Sequence, residues 1–147
     1  MIKLRHVGIT VTDIERSLKL YRDYFGFKIT WDQVEEGEFI DGLSSLSKVK
    51  VRTVKLCDNC GGVIELLQYY SHKSSNKNNL NLPITNIGCS HFAVTVEDIN
   101  TCYLNLKKMG LPFNKSPQLS PDGKAKVCFL RDFDGTLIEL VEVCDAV

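Results

Sequence analysis

The sequence lacks net charge and lacks any long apolar stretch. Among its 147 residues, 18 basic side chains balance 18 acidic ones, so the formal net charge at pH 7 is zero. A balanced charge gives no reason to propose a nucleic acid or a membrane surface as a partner. No run of about 20 apolar residues is present, so we predict no transmembrane helix. No N-terminal segment has the pattern of a secretory signal, and we therefore expect a cytoplasmic protein.

The sequence also lacks the features of a disulfide or zinc framework. It has six cysteines, but without a secretory signal these are expected to be free thiols. Cys57 and Cys60 have the spacing of a redox or zinc motif, yet they fall in a predicted hairpin turn. A structural zinc site would need a second such pair, and the sequence has none.

Two stretches of the sequence occur twice, in the same order. Segment 6–14 reads HVGITVTDI and segment 91–99 reads HFAVTVEDI, at an offset of 85 residues from His6 to His91. Segment 56–66 reads LCDNCGGVIEL and segment 130–140 reads LRDFDGTLIEL, at an offset of 74 residues from Glu65 to Glu139. Two matches of this length indicate a duplicated module.

Hydrophobic periodicity predicts the same plan for both copies: a strand, a helix and three strands. We predict a single domain over 1–147, with module one at 1–69, a polar linker at 70–87 and module two at 88–147. The predicted strands cover 3–11, 27–31, 49–56 and 63–69 in module one, and 88–96, 111–114, 125–130 and 136–143 in module two.

The helices follow the first strand of each module. The helix of module one begins at Thr12, with a capping box completed by Glu15, and ends at Gly26. The helix of module two covers 98–109. Segment 34–48 has no counterpart in module two; its apolar side predicts a short helix or a lid, and specificity for a substrate could lie there.

Each module therefore places one histidine on its first strand and one glutamate on its last strand. Strand alternation puts Glu65 on the same face as Val63 and Leu67, where an unpaired carboxylate would be costly. Two imidazoles and two carboxylates form a ligand set for a divalent metal. The alternative is that His6, Glu65, His91 and Glu139 are only exposed polar positions, but their repetition favours a metal site.

These motifs resemble those of the vicinal oxygen chelate superfamily, which includes glyoxalase I, methylmalonyl-CoA epimerase, extradiol dioxygenases and the bleomycin and fosfomycin resistance proteins. The resemblance covers essentially the whole chain. It implies an α+β fold of two βαβββ modules, whose curled, mostly antiparallel sheets enclose a metal cavity. It also implies that one divalent ion (Ni, Zn, Co or Mn) is held by all four ligand positions, which are His6, Glu65, His91 and Glu139.

The function implied by the resemblance is a metal-dependent lyase or isomerase of the glyoxalase I type. In such enzymes the metal holds a carbonyl oxygen while a base removes the neighbouring C–H proton. Glu139 or Glu65 is the expected base. One alternative is an acyl-CoA epimerase, with Lys50, Arg52, Lys124 and Lys126 as candidate phosphate partners. A second alternative is a non-catalytic protein that sequesters a small molecule.

The sequence departs from the family patterns at three places. Glyoxalase I commonly has an arginine four residues after the first histidine, where this chain has Thr10. Epimerases carry a second histidine at the position of Phe92. Extradiol dioxygenases have further His or Tyr near the oxygen, and the only histidine left over here is His72, in the linker. The resemblance also implies a homodimer, with the metal completed either within one chain or between two.

Overall fold

The structure, a computed structural model, describes residues 1–74 and 82–144. The chain divides into two compact units, Met1–Asn76 (unit one) and Lys77–Val147 (unit two), and each contains a four-stranded sheet. Residues 75–81 of the predicted linker lie outside the described residues, and the single domain stays a prediction. Within the described ranges, no helix has the length and apolar character needed to cross a membrane.

Unit one follows the predicted order of a strand, a helix and three strands. Helix α1 runs directly into a π-helical segment, and a short helix α2 precedes the third strand. The elements are β1 (Val7–Thr10), α1 (Ile14–Leu18), the π-helical segment (Lys19–Tyr24), β2 (Lys28–Glu36), α2 (Glu38–Ser44), β3 (Lys50–Cys57) and β4 (Val63–Tyr69). The strands lie in the order β1-β4-β3-β2, with β1 parallel to β4 and the other pairs antiparallel.

Unit two repeats this topology. Its elements are β5 (His91–Thr95), α3 (Ile99–Lys108), β6 (Gln118–Leu119), β7 (Ala125–Arg131) and β8 (Leu137–Val143). The strands lie in the order β5-β8-β7-β6, with β5 parallel to β8. The α+β class and the duplicated βαβββ plan are therefore confirmed, with two mostly antiparallel sheets that do not close.

The start of each helix is tied to the last strand of its own unit. In unit one, the Ile14 N–H donates to Gln68 Oε1 at 2.9 Å, and in unit two the Ile99 N–H donates to Glu142 Oε2 at 2.8 Å. Gln68 and Glu142 are related by the same offset of 74 residues that relates the two repeated glutamates. An N–H that has no partner within the helix is thus satisfied by a strand side chain.

A buried core lies between the helix and one face of each sheet. In unit one, Ile14, Leu18 and Tyr21 are fully buried, as are Val54 and Leu56 of β3. Unit two buries the equivalent layer around Ile99, Leu106, Leu130, Ile138 and Leu140. The opposite face of each sheet is left to carry the repeated histidine and glutamate.

Both closing hairpins are organised by an aspartate. Asp58 Oδ1 accepts from the N–H groups of Cys60 and Gly62, at 2.8 and 2.7 Å. Asp132 Oδ1 accepts from the N–H groups of Asp134 and Thr136, at 2.9 and 2.8 Å. These aspartates are the ones that recur in the repeat, and the predicted 57–62 turn is present.

The predicted cap of the first helix was wrong. Asp13, not Thr12, is the N-cap, and its Oδ1 accepts from the Arg16 N–H at 3.1 Å. The Thr12 hydroxyl instead accepts from the Arg16 guanidinium at 2.9 Å, and the Glu15 carboxylate is bound by Arg52 at 2.6 Å. Both members of the predicted capping box are therefore engaged elsewhere.

Further strand predictions differ from the structure. The predicted strand at 3–11 is shortened to Val7–Thr10, so His6 lies just before the strand and not on it. The predicted strand at 111–114 is reduced to a bridge between Phe113 and Leu130, since Pro112 has no N–H to donate, and β6 forms later in the predicted loop. The predicted strand at 27–31 is longer, reaching Glu36, with a bulge between Ile29 and Trp31 that disrupts the alternation. Segment 34–48 thus completes a strand and forms a short helix.

The two hairpin aspartates provide a test of this account of the turns. We expect Asp132→Ala to lower the free energy of unfolding by about 1–3 kcal/mol, because it leaves two partly buried N–H groups without this acceptor. Asp132 is 2% exposed, whereas Asp58 is partly exposed, so Asp58→Ala should cost less. Urea unfolding of the two variants measures the difference. An equal or smaller loss for Asp132→Ala would contradict this explanation.

Candidate metal centre

In unit one, parallel pairing of the first and last strands brings His6 next to Glu65. His6 directly precedes β1, and Gly8 on that strand pairs with Glu65 on β4. His6 Nε2 lies 3.5 Å from Glu65 Oε1. The Glu65 side chain is 13% exposed, and it shares a face with Val63 and Leu67, as predicted. We call His6 and Glu65 half-site one.

In unit two, the same register produces a second pair. His91 is the first residue of β5, and Ala93 pairs with Glu139 on β8. His91 Nε2 lies 3.2 Å from Glu139 Oε2, and the Glu139 side chain is 24% exposed. We call His91 and Glu139 half-site two. The structure places the two members of each predicted pair side by side, and their role as metal ligands stays a prediction.

A small residue stands opposite the glutamate in each half-site. The residue is Gly8 in unit one and Ala93 in unit two. A Cβ added at Gly8 would meet Leu67 Cδ1 at 3.5 Å, an ordinary van der Waals contact. The strand beside each carboxylate therefore presents little side-chain bulk, which leaves space for a ligand over the glutamate.

The two half-sites differ in the residue that pairs with the glutamate from its other side. Lys55 on β3 pairs with Glu65, and its Nζ lies 3.4 Å from Glu65 Oε2. Phe129 on β7 pairs with Glu139, and its ring contacts the His91 ring edge-on with 5.2 Å between centroids. Half-site one therefore has a cationic neighbour and half-site two has an aromatic one.

The donor atoms of each half-site fit a divalent ion. Two ligands on adjacent positions of an ion, each about 2.1 Å from it, lie about 3.0 Å apart. The imidazole and carboxylate atoms are separated by 3.5 and 3.2 Å, so a small movement would let both bind one ion. Within either unit, the described residues contain no cluster of three or more histidine, cysteine or acidic side chains suited to a metal. Each half-site alone thus offers two donors.

The cysteines do not extend this ligand set. All six are free thiols, as predicted. Burial raises the pKa of the Cys128 thiol on β7 to about 11, so it stays protonated at neutral pH. The Cys57 thiol donates to the Asp58 carbonyl at 3.2 Å within the hairpin, where it belongs to the turn.

The basic side chains proposed as phosphate partners are mostly engaged in ion pairs. Lys50 Nζ lies 3.4 Å from Glu36, and Arg52 binds both Asp32 and Glu15. The hydrogen bond that Arg52 donates to Asp32 is the main cause of the lowered pKa of Asp32.

Lys126 is engaged in a similar way in unit two, where its Nζ lies 2.7 Å from Glu142 Oε1. The pKa of Glu142 is lowered mainly by the hydrogen bond from Lys126, and next by the hydrogen bond from the Ile99 N–H. These pairs stabilise the sheets and hold the helix starts.

Lys55 is the neighbour of the site that the sequence analysis missed. A signal for it was present: Cys57 pairs with Val63 across the predicted hairpin, and counting two residues along each strand pairs Lys55 with Glu65. Counting in this way requires the register of the turn, which the repeat alone does not give.

Comparison with known proteins agrees with the fold and the repeated motifs. The model of the Glyoxalase/Bleomycin resistance protein/Dioxygenase superfamily matches residues 3–140. A lactoylglutathione lyase of Schizosaccharomyces pombe is 32% identical over 95% of this chain and 47% of its own length. A glyoxalase I of Saccharomyces cerevisiae is 28% identical over 94% of this chain and 44% of its own. The chain therefore spans about half the length of these curated relatives.

Solved structures show the same fold. A glyoxalase family protein from Bacillus cereus superposes with a TM-score of 0.87 at 21% identity, over 97% of this chain and 95% of that protein. Glyoxalase I from Zea mays has a TM-score of 0.67 at 22% identity, over 98% of this chain and 46% of that protein. Two repeated modules with these motifs, and a family model that spans nearly the whole chain, define its class. The chain belongs to the glyoxalase, bleomycin resistance protein and dioxygenase superfamily.

The space beside Glu65 can be tested with one added methyl group. We expect Gly8→Ala to raise the free energy of unfolding by about 0.5–1 kcal/mol, because the backbone there suits alanine and the unfolded chain loses freedom. Ala93 already occupies the equivalent position. Gly61→Ala is the matched control, since its φ of +92° makes alanine destabilising. A loss of stability in Gly8→Ala, measured in urea, would refute the space inferred at this position.

Proposed function

We propose that this protein is a divalent-metal-dependent lyase or isomerase of the glyoxalase I type. The observation that carries the proposal is the repeated His–carboxylate pair, present once in each unit with its donor atoms 3.5 and 3.2 Å apart. Similarity to a lactoylglutathione lyase and to a glyoxalase I supports the reaction class. The substrate class is a small molecule with a C–H group next to a carbonyl.

Four side chains would hold the metal, two from each half-site. Two neutral imidazoles and two carboxylates suit Ni, Zn, Co or Mn on ligand type. A divalent ion bound there supplies Lewis acidity toward a substrate oxygen. The ligand set that we propose is His6, Glu65, His91 and Glu139.

Glu139 is the better candidate for the base. Glu65 is fixed between His6 and Lys55, at 3.5 and 3.4 Å. Among the residues that the structure describes, His91 is the single ion-pair partner of Glu139. A carboxylate with fewer close partners is freer to move toward a substrate proton, which a general base must reach.

The proton has a short path in this scheme. The Glu139 carboxylate takes the proton from the carbon next to the carbonyl, and the C–H electron pair stays on the substrate. In a thiohemiacetal, the same carboxylate then returns this proton to the former carbonyl carbon, and the hydroxyl proton of the first carbon passes to the oxygen of the second. The reaction therefore isomerises the substrate without net gain or loss of protons. The Phe129 ring, edge-on to His91, would help to exclude water from this proton.

The proposed active form is a homodimer. The chain spans about half the length of the curated relatives, so a homodimer would supply as many modules as one of those proteins. The metal would then be completed either within each chain or between the two copies. Both arrangements predict one metal ion per chain.

Metal content tests the ligand set. We expect about one equivalent of divalent metal per chain after loading, and its loss in His6→Ala and in His91→Ala, because each variant removes one nitrogen donor. His72→Ala is the matched control, since His72 is the one remaining histidine and is exposed. Elemental analysis of folded, gel-filtered protein measures the metal. Retention of full metal by both site variants would refute the site.

Mixing the two site variants identifies where the metal site is completed. If each site takes one half-site from each copy, a heterodimer of His6→Ala and His91→Ala chains has one intact site and one doubly altered site. Isolated heterodimers would then hold about half the wild-type level of metal, and an unseparated coexpression mixture about a quarter. If each site lies within one chain, no combination of these variants restores it.

Replacing each glutamate by glutamine tests the base assignment. We expect Glu139→Gln to lower kcat by a factor of about 100 to 10,000, because the amide keeps an oxygen donor but cannot take a proton. Glu65→Gln should act mainly through metal affinity. The assay is thioester formation from the thiohemiacetal of methylglyoxal and glutathione, with metal content measured for each variant.

Two outcomes would contradict the proposal in different ways. Full activity in Glu139→Gln would refute its role as the base. Failure to convert thiohemiacetals, together with deuterium exchange into a 2-methylacyl-CoA ester, would favour the acyl-CoA epimerase instead.

A further inference from the structure

The two half-sites have the same donors but different cross-strand neighbours, and this difference concerns charge. Lys55 Nζ approaches Glu65 to 3.4 Å, whereas the equivalent position beside Glu139 is held by Phe129. If the Lys55–Glu65 ion pair only stabilised the sheet, the same pair would stabilise the sheet of unit two equally well. Of the two half-sites, only half-site one has this cation.

Lys55 lines a cavity that opens beside half-site one. The cavity has a volume of about 340 Å³, at the lower end of the range for small-molecule pockets. Its lining, which lies entirely in the described part of the chain, contains basic and neutral residues and no carboxylate. The lining residues are Lys3, Leu4, Arg5, His6, Thr30, Lys55, Gly61 and Val63.

The position of Lys55 is supported by strand β2. Thr30, in the bulge between Ile29 and Trp31, donates its hydroxyl to the Lys55 carbonyl at 3.3 Å. The Lys55 ammonium lies 5.9 Å from the centre of the Trp31 ring, within the range of a cation–π contact. The side chain is 34% exposed. The ammonium is therefore positioned at the cavity and remains accessible to a ligand.

A lysine beside a metal-ligating carboxylate has an electrostatic cost. Its positive charge competes with the metal for Glu65 and repels a divalent ion at short range. An anion bound next to both cations would offset this repulsion. Lys3 and Arg5, on the same cavity wall, add to the positive potential that would attract such an anion.

We propose that Lys55 binds an anionic oxygen group of the substrate, with Arg5 and Lys3 contributing charge. This inference rests on the proposed function and narrows its substrate class: the reacting carbonyl belongs to a small molecule that also carries a carboxylate or a phosphate. The small cavity volume places the anionic group close to half-site one. Lys55 is thereby a specificity-determining residue, distinct from the proposed base.

Anion binding can be measured without metal and without turnover. Lactate and lactamide have the same carbon skeleton and hydroxyl group, and they differ in charge. We expect calorimetric titration of metal-free protein to give lactate an affinity about tenfold higher than lactamide, as for one charge-assisted contact. Trp31 is the single tryptophan of the chain, so its emission should change with lactate and report binding at this cavity.

Substitutions of Lys55 assign the effect to this side chain. Lys55→Met should weaken lactate binding about tenfold, and Lys55→Arg should retain it. Lys50→Met is the matched control, because Lys50 lies on the same strand and its ion pair with Glu36 has the same 3.4 Å separation. Glu65→Gln should strengthen lactate binding in metal-free protein, since it removes the carboxylate that competes for Lys55.

Inorganic phosphate, titrated in parallel, identifies the anion class. Tighter binding of phosphate than of lactate, lost in Lys55→Met, supports the inference and indicates a phosphorylated substrate; the reverse order supports it and indicates a carboxylate. Equal affinities for lactate and lactamide would overturn it. So would unchanged lactate binding in Lys55→Met, or an equal loss in Lys50→Met.

The metal measurement separates this inference from the proposed function. Lys55-dependent anion binding in a protein that never retains metal would refute the metal-dependent lyase and leave the anion site standing. Metal binding with the expected histidine dependence, but without any preference for lactate, would refute only the role of Lys55.

Discussion

The structure depends on the parallel pairing of the first and last strands of each module. His6 and Glu65 are 59 positions apart in sequence and meet because Gly8 pairs with Glu65. His91 and Glu139 are 48 positions apart and meet because Ala93 pairs with Glu139. Parallel strands cannot be joined by a tight turn, so the chain between them must make a crossover. The helix and the two intervening strands of each module form that crossover. The histidine and the glutamate come together only if the whole module folds.

The register of this pairing is held from both ends. At one end, a hairpin aspartate organises the turn that leads into the last strand, in Asp58 and Asp132. At the other end, a side chain of the last strand accepts from the first helical N–H, in Gln68 and Glu142. A slip of one residue would turn the glutamate to the helix-covered face and break both contacts. The repeated residues are therefore the ones that fix the register.

The features that could be predicted from the sequence are those that occur in both modules. The module plan, the His–Glu pairs and the hairpin aspartates were all visible as matched positions, and the pairs lie side by side as their strand positions implied. The features it failed to predict occur once or depend on competition between side chains. Thr12 and Glu15 formed a plausible capping box until Arg16 and Arg52 engaged them, and no local pattern reveals a partner 37 residues away. The proposed metal and substrate also involve groups outside the chain, which local patterning does not encode.

The features that distinguish the two modules are found mainly in unit one. Helix α2 packs Ile40 against Val51, Leu67 and Tyr69, on the same sheet face as Glu65. In the described part of unit two, no helix stands between α3 and β7. Unit one therefore has both the cationic neighbour of its glutamate and an added helix over the sheet face that carries Glu65. Unit two retains the plainer strand connection.

This asymmetry explains how a duplicated site can treat its two carboxylates differently. Two identical half-sites would give both glutamates the same neighbours and the same freedom to move. Lys55 breaks that equivalence, because its ammonium holds the Glu65 carboxylate in place, while Glu139 faces an aromatic ring instead. The roles of ligand and base can then be divided between two residues that arose as copies of each other. On the proposed function, a single lysine on β3 would determine both which glutamate moves the proton and which substrates enter.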